Sequence, residues 1–168
     1  ALFSIQPSID TSGILRYTPA ADANGSATVT VKLQDNGGTT DGGVDTSIEQ
    51  VFTITVKPIN DAPMLADIND QIIDEDAAQQ SITLMFGPGD GAFEIDQTVD
   101  VTAISSNVAL IPDPDITGNS LSYIPVIDGN GNATITVTVD DRQSANNITQ
   151  KTFTITVNSI NDAPVRLN

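Results

Sequence analysis

Aspartate and asparagine side chains in turn-like segments are the residues of this chain that could do chemistry. Of its 22 acidic residues, 19 are aspartate and three are glutamate, against six lysines and arginines, so the net charge is −16. Aspartate favours turns and caps, whereas glutamate decorates helix surfaces. Calcium takes about six to eight oxygen ligands from carboxylates, amides and backbone carbonyls. The chemistry that this composition favours is therefore the binding of a hard cation.

The candidate ligands gather around a junction near residue 60. Asn60 and Asp61 lie at the junction itself, and Asp22 and Asn24 lie in a turn before a later strand. Asp90, Glu94 and Asp96 lie in the segment between two strands, and Asp141 lies at the end of a late strand. Because alternate loops of a β-sandwich cluster at one end, we expect several of them to converge on the junction. Two plainer interpretations remain open. Asn-Gly after Asp22 also suits a hairpin turn, and Ala62-Pro63 also suits a stiff linker.

Several function classes are excluded by what the sequence lacks. There is no histidine and no cysteine, which removes the usual general base, the thiolate nucleophile, disulfides and most zinc sites. The strong negative charge repels phosphates, so nucleic acid is not an expected partner. No apolar run approaches the ~20 residues that span a bilayer, so no membrane insertion of this segment is expected. We do not expect an enzyme.

The elements that position these acids are predicted to be β-strands. Thr, Ile and Val number 20, 20 and 13, and these residue types favour strands. The chain also repeats itself. Residues 15–31 match 121–137 at an offset of 106, and 52–63 match 153–164 at an offset of 101. The offset between the repeats changes by five residues within the glycine-rich stretch 37–43, which indicates a loop insertion.

The repeat places a module boundary after Pro63. Residues 64–168 then form one module of about 100 residues, a normal size for a sandwich. Its strand-like runs lie at 68–73, 80–86, 97–105, 108–112, 120–125, 132–140 and 149–158. Apolar and threonine residues alternate along the last two runs, which indicates one buried face. We predict an all-β fold of tandem immunoglobulin-like β-sandwiches, in which residues 1–63 hold only the last four strands of the first module.

A module without its first three strands would expose an apolar face and a sheet edge. The chain is then a fragment of a longer array, the piece of a longer chain that is ordered in a density map, or a subunit whose missing strands come from another copy. The last alternative is β-strand addition, which can build open filaments when the contact is head-to-tail.

The repeated motifs resemble the cadherin-like tandem repeats of large bacterial extracellular surface proteins and adhesins. The motifs are Leu-x-Tyr-x-Pro, Asp-x-Asn-Gly, Ala-Thr-(Val/Ile)-Thr-Val, Phe-Thr-Ile-Thr-Val and Asn-Asp-Ala-Pro, and they cover essentially the whole chain. The resemblance implies immunoglobulin-like sandwiches joined into a stalk, with calcium (Ca2+) stiffening the junctions.

The resemblance also implies a set of calcium ligands. Glu75 corresponds to the acid near the first strand, and Asp22 with Asn24 and Asp128 with Asn130 correspond to the pair before a later strand. Asn60 with Asp61 and Asn161 with Asp162 correspond to the linker pair. Asp90 or Asp96 corresponds to an acid of the following module, and Asp141 corresponds to the last acidic ligand of that module. The sequence departs from the cadherin pattern where Pro58 and Ser159 replace a linker acid, and where Ala62 and Ala163 replace a linker asparagine. We therefore expect one or two ions at a junction rather than three.

The function expected from these features is a structural or adhesive segment of an extracellular, cell-surface protein. Its expected partners are neighbouring repeats or other copies of the same protein, with cell-surface glycans as a further possibility. The alternative is a carbohydrate-binding module, for which Phe93 in a glycine-rich loop would be the stacking residue.

Overall fold

A computed structural model describes residues 1–90 and 93–162. Two compact units divide the chain: unit 1 contains Ala1–Ile59 and Phe93, and unit 2 contains Asn60–Asp90 and residues 94–162. Apart from a short 3-10 turn at Thr40–Gly42, the regular elements are strands. They are β1 Phe3–Ile9, β2 Leu15–Pro19, β3 Gly25–Val31, β4 Gln50–Val56, β5 Met64–Leu65, β6 Gln71–Asp74, β7 Gln80–Thr83, β8 Phe86–Gly87, β9 Asp100–Ser105, β10 Asp115–Thr117, β11 Ser120–Tyr123, β12 Gly131–Asp140 and β13 Ile148–Asn158.

Unit 2 is an immunoglobulin-like sandwich. One sheet has the order β10-β11-β7, and the other has the order β6-β13-β12-β9. All neighbours in these two sheets are antiparallel except β6, which pairs with β13 in parallel. Three strands facing four, with the last two strands central in the larger sheet, is the arrangement of this fold. The all-β prediction is confirmed.

The core of unit 2 follows from the alternation in its two longest strands. Ile135, Val137 and Val139 on β12 are completely buried, and Ile155 on β13 is too. The threonines between them lie on the outer face, in register across the two strands. Leu121 of the opposite sheet packs into the same cluster. A strict period of two with one apolar face thus produces a two-layer core, as the sequence predicts.

One strand prediction in this unit is wrong, and one strand is not predicted. The run 108–112 is not a strand, because the backbone N–H groups of Leu110 and Ile111 both donate to the carbonyl of Asn107 and close a turn. The turn buries both side chains without extending the chain. The third strand of the smaller sheet is instead β10. It has a single isoleucine between Asp115 and Thr117, and one apolar residue is too few to predict a strand from the sequence.

Unit 1 consists of two antiparallel hairpins, β1 with β2 and β3 with β4. These are the four strands expected for residues 1–63. Phe3 and Ile54 are its buried apolar residues, and Phe3 meets Tyr17 edge-to-face at 5.6 Å between ring centroids.

The same motif is covered differently in the two units. Phe52 is 36% exposed, whereas its repeat counterpart Phe153 is 2% exposed. Tyr17 is 41% exposed, and its counterpart Tyr123 is 4% exposed. In unit 2 the flanking strands β6, β7 and β9 pair with β13, β11 and β12. In unit 1 the counterparts of β13, β12 and β11 are β4, β3 and β2. Within the described residues, β4 and β3 pair only with each other, and β2 pairs only with β1.

Candidate functional site

Hydrogen bonds link the Asn60 side chain to Asp141, and the Asp61 backbone to Glu94, at the end of unit 2 where β12 stops and β13 starts. We call Asn60, Asp61, Glu94 and Asp141 the N-terminal cluster. The Asn60 amide Nδ2 donates to Asp141 Oδ2 at 2.9 Å and to the carbonyl of Ala145 at 3.0 Å. The backbone N–H of Asp61 reaches Glu94 Oε1 at 3.4 Å. Residues far apart in the sequence therefore converge on the Asn-Asp motif.

Two carboxylates of the N-terminal cluster are fully buried. Glu94 is 1% exposed and Asp141 is 2% exposed. Asp141 is fixed by hydrogen bonds, since its Oδ1 accepts the backbone N–H of Gln143 at 2.9 Å. The Oε2 atom of Glu94 is buried and accepts no hydrogen bond from any described residue. No lysine or arginine of the described chain forms an ion pair with either acid.

An unpaired, buried carboxylate oxygen is costly unless a cation compensates it. The donors present are carboxylate, amide and backbone oxygens, which is the ligand chemistry of calcium. The residues of the N-terminal cluster therefore fit a hard cation.

Close backbone packing places Gly89 against the Asn-Asp motif. A Cβ atom added at Gly89 would lie 2.7 Å from the carbonyl oxygen of Asp61, so only glycine fits there. Gln97 adds a hydrogen bond from its Nε2 to Asn60 Oδ1 at 3.1 Å. The Asn60 side chain is thus held from both sides.

A second group of acids lies at the opposite end of unit 2, where β6 and β13 stop and β12 starts. We call Glu75, Asp76, Asp128 and Asp162 the C-terminal cluster. Carboxylate oxygens of the three aspartates lie within 4.8 Å of one another, and all three side chains are exposed. The Asp128 backbone N–H donates to Asp76 Oδ1 at 3.0 Å. The buried Glu75 accepts the backbone N–H of Ile160 at 2.7 Å.

Electrostatic repulsion is visible at Asp162. Desolvation raises the pKa of its carboxyl above the ordinary value of 3.8, and the neighbouring charges of Asp128, Asp76 and Glu75 raise it further. A group of like charges whose ionised form is disfavoured is stabilised by a cation.

Some predicted ligands stand apart from both clusters. Asp90 and Asp96 are exposed, and the acid that joins the N-terminal cluster is Glu94, which lies between them. Asn130 is exposed and lies in the turn after Asp128. The Asn161 amide donates to the Asp162 carbonyl at 3.2 Å, as Asn60 does to Asp61 at 3.1 Å.

In unit 1, Asp22 and Asn24 occupy a turn before β3. Asp22 has a φ of 54°, and its counterpart Asp128 has a φ of 57°, so both sit in the left-handed region expected of a turn. The two repeats thus place this aspartate in the same backbone conformation.

Phe93, the candidate sugar-stacking residue, is 48% exposed.

The sequence analysis gives no ligand role to Asp76 or Gln97, and it names Glu94 with Asp90 and Asp96 without preferring it to them. The available signal for Glu94 was its type: it is one of only three glutamates, and it lies in a segment with Phe93 and Ile95 on either side. Asp76 follows Glu75 directly, and its positive φ of 63° turns it toward the turn that holds Asp128.

No protein-family model matches the chain, and the curated proteins contain no match. Among solved structures, the chain is similar to the PKD domain of human KIAA0319, at 12% identity and a TM-score of 0.39, over 64% of this chain and 90% of that one. It is similar to domains 4 and 5 of the S-layer protein SbsC, at 12% identity and a TM-score of 0.43, over 90% of this chain and 64% of that one. It is also similar to immunoglobulin domains 1–5 of Sidekick-1, at 14% identity and a TM-score of 0.41, over 92% of this chain and 29% of that one.

In the described part of the chain, no helix is long and apolar enough to cross a membrane.

Proposed function

We propose that this chain is a structural repeat segment of an extracellular, cell-surface protein, with calcium bound at the ends of its modules. The observation that carries the proposal is the buried Glu94, whose Oε2 has no hydrogen-bond partner among the described residues. A module that bound no ion would be more stable with apolar residues in place of these two acids. Retaining them is consistent with a cation that binds there.

The repeat supports a ligand set shared by two modules. Asn60-Asp61 corresponds to Asn161-Asp162, so each linker carries the same pair. The N-terminal cluster then belongs to the module after a linker, and the C-terminal cluster belongs to the module before one. In a tandem array, one linker would therefore meet a Glu75-Asp76-Asp128 group from one module and a Glu94-Asp141 group from the next. Calcium would neutralise these acids and fix the angle between modules.

In this role each residue type has a separate task. The carboxylates of Glu94 and Asp141, and of Asp76, Asp128 and Asp162, would hold the ion. The Asn60 side chain orients Asp141 through its 2.9 Å hydrogen bond and ties the linker to the loop that follows β12. A bound ion supplies the positive charge that the two clusters lack.

Thermal unfolding in EDTA and in millimolar calcium, at constant ionic strength, tests the proposal. A ligand that binds only the folded state at ~100 times its dissociation constant adds about 2.7 kcal/mol, which raises the midpoint by several degrees. We expect such a rise, and we expect Asp141→Asn to reduce it. Asp115→Asn, which removes an exposed acid from β10, is the matched control and should leave it unchanged. An equal midpoint in EDTA and calcium would contradict calcium binding.

The structural role has its own test. A parent protein carrying several such repeats should appear in negative-stain electron micrographs as a chain of beads that is straighter in calcium than in EDTA. Isolated globules in both conditions would contradict the stalk role.

A further inference from the structure

Two buried oxygen atoms without a hydrogen-bond partner belong to residues three positions apart in unit 2. They are Glu94 Oε2 and Gln97 Oε1, and in the part of the chain that the structure describes the only other buried side-chain atom of this kind is the Tyr123 hydroxyl. The Gln97 backbone N–H donates to the Glu94 carbonyl at 2.9 Å, so both side chains leave the same turn. In the proposed function Glu94 has a task, and the Gln97 oxygen has none.

The Glu94 and Gln97 side chains both end at the Asn-Asp motif. Glu94 Oε1 accepts the backbone N–H of Asp61 at 3.4 Å, and Gln97 Nε2 donates to Asn60 Oδ1 at 3.1 Å. Each side chain therefore anchors one of its two polar atoms on one of two consecutive residues. Each also keeps one buried oxygen that no N–H or O–H group of the described chain fills.

The hydrogen bonds of Asn60 decide which atom of the Gln97 amide is the unpaired one. Asn60 Nδ2 donates to Asp141 Oδ2 at 2.9 Å and to the Ala145 carbonyl at 3.0 Å. A flipped Asn60 amide would place its oxygen against a carboxylate and a carbonyl, which are both acceptors. Asn60 Oδ1 must therefore face Gln97, and only the Nε2 atom of Gln97 can donate to it. The free atom of the Gln97 amide is thus its oxygen.

We propose that Gln97 Oε1 and Glu94 Oε2 bind the same calcium ion in the N-terminal cluster. Calcium takes amide oxygens as well as carboxylate oxygens, at about 2.3–2.6 Å. The inference rests on the proposed function, in which a cation binds at this cluster. It adds a ligand that neither the repeat nor the resemblance to cadherin-like modules supplies.

A neutral ligand suits the charge of this cluster. Asp61, Glu94 and Asp141 already supply acidic side chains, and the ion pairs formed by the described residues all lie elsewhere. A fourth carboxylate would add repulsion among enclosed like charges whenever the ion is absent. An amide oxygen binds the ion without that repulsion. Gln97 should therefore raise the affinity for calcium and lower the stability in EDTA less than an acid would.

A buried water molecule is the alternative occupant of this position. Buried waters typically make about two to four hydrogen bonds to polar groups that otherwise lack partners. A water that donated to both oxygens would do so equally in EDTA and in calcium. The two occupants therefore differ in one observable, which is the response of the Gln97 side chain to calcium.

Nuclear magnetic resonance titration of the full chain with calcium tests the proposal. The chain carries Asp128→Asn, which weakens the C-terminal cluster, so the titration reports the N-terminal cluster. We expect the side-chain amide signals of Gln97 to shift with the same midpoint as the backbone amide signal of Asp61. The side-chain amide of Gln150, which donates to Thr138 Oγ1 on the outer face of the sheet, should not shift.

Gln97→Met keeps the size of the side chain and removes its oxygen. We expect it to weaken calcium binding by at least about tenfold, since even residues that only support metal ligands have effects of this size. Gln150→Met is the matched control, because it also removes one hydrogen-bonded amide. It should leave the affinity within about threefold of that of the unsubstituted chain, as is usual for surface substitutions.

Gln97→Glu separates ligation from positioning. The glutamate cannot donate to Asn60 Oδ1, yet it offers a carboxylate oxygen to the ion. We expect calcium to bind this variant at least as tightly as the unsubstituted chain, and we expect its thermal midpoint in EDTA to fall because an enclosed acid has been added. Gln143→Glu adds the same charge at an exposed position beside Asp141 and should leave that midpoint unchanged.

Three results would overturn the proposal. Weak binding by both Gln97→Met and Gln97→Glu would assign Gln97 a positioning role through Asn60. Unchanged affinity of Gln97→Met, in a chain that binds calcium, would assign the two oxygens to a water and leave the proposed function intact. Absence of calcium binding by the unsubstituted chain would overturn this inference together with the calcium binding on which it rests.

Discussion

At the scale of single residues, burial separates the acids of this chain into two kinds. Most of the 22 lie on the surface, where water solvates them. Glu94 and Asp141 are enclosed in unit 2, and one oxygen of Glu94 has no hydrogen-bond partner in the part of the chain that the structure describes. A buried charge without a partner lowers the free energy of unfolding. In the absence of a cation, these two side chains should therefore destabilise unit 2.

Glu94→Gln tests this cost directly. In EDTA we expect the free energy of unfolding to rise by about 1–2 kcal/mol, because the substitution removes a buried charge with an unsatisfied oxygen. In calcium we expect the variant to lose part of the stabilisation shown by the unsubstituted chain. Urea denaturation in both conditions measures the two effects. A variant that is destabilised in EDTA would show that Glu94 is compensated by something other than a cation.

Tyr123 gives a pH-dependent prediction. Burial raises the pKa of its hydroxyl above the ordinary value of 10.0, and the hydroxyl has no partner among the described residues. The unfolded chain therefore ionises first, and the contribution of Tyr123 to stability falls as the pH rises through 10. Tyr123→Phe should abolish this alkaline loss and keep or raise stability at pH 7, because it removes an unsatisfied polar atom.

Denaturation curves between pH 8 and about pH 11 check the Tyr123 prediction. Tyr17→Phe is the control, since that ring is partly exposed. If the two variants lost stability equally above pH 10, the fall would come from other groups.

At the scale of elements, the repeat places one strand sequence in two environments. Phe153 on β13 lies in the buried core of a complete sandwich, whereas Phe52 on β4 is 36% exposed. Local sequence therefore decides that each segment is a strand. The neighbouring strands decide how much of its apolar face is buried.

The paired substitutions Phe153→Ala and Phe52→Ala should differ in cost. Truncation of a fully buried phenylalanine destabilises a protein by about 3–5 kcal/mol. We expect Phe153→Ala to fall in that range for unit 2, and we expect Phe52→Ala to cost clearly less because part of the ring is already exposed. Chemical denaturation followed by tyrosine fluorescence measures both. Equal costs would mean that Phe52 is buried in solution, as it would be in a complete sandwich.

The elements also show what the sequence can and cannot predict. Alternation along β12 and β13 predicts the strands, their inward faces and the all-β class, because period two is a backbone property. The turn at Leu110 and Ile111 is not predicted, since an apolar run can be buried in a turn as well as in a strand. For the site, the Asn-Asp motif is recognisable from the repeat. The choice of Glu94 over Asp90 and Asp96 depends on how a loop folds against Asp61, which no spacing rule gives.

At the scale of the whole molecule, the two units should differ in stability. Unit 2 has a contiguous buried core, whereas Phe3 and Ile54 are the buried apolar residues of unit 1. Backbone amides in weakly covered regions open at a lower free energy. We expect faster hydrogen exchange in β1–β4 than in β12 and β13, by at least about a factor of ten if the opening energies differ by 1.4 kcal/mol or more. Uniform protection across the chain would contradict this.

The parallel pairing of β6 with β13 has a mechanical consequence. β6 lies near the start of unit 2 and β13 near its end, and the two strands run in the same direction. A force that pulls the ends of the module apart would act along both strands in opposite senses. It would load their hydrogen bonds in shear, so the bonds would have to break together rather than one at a time. The rate of such forced unfolding depends on the unfolding barrier rather than on equilibrium stability. A short strand of four residues could thereby set the tension that each module withstands.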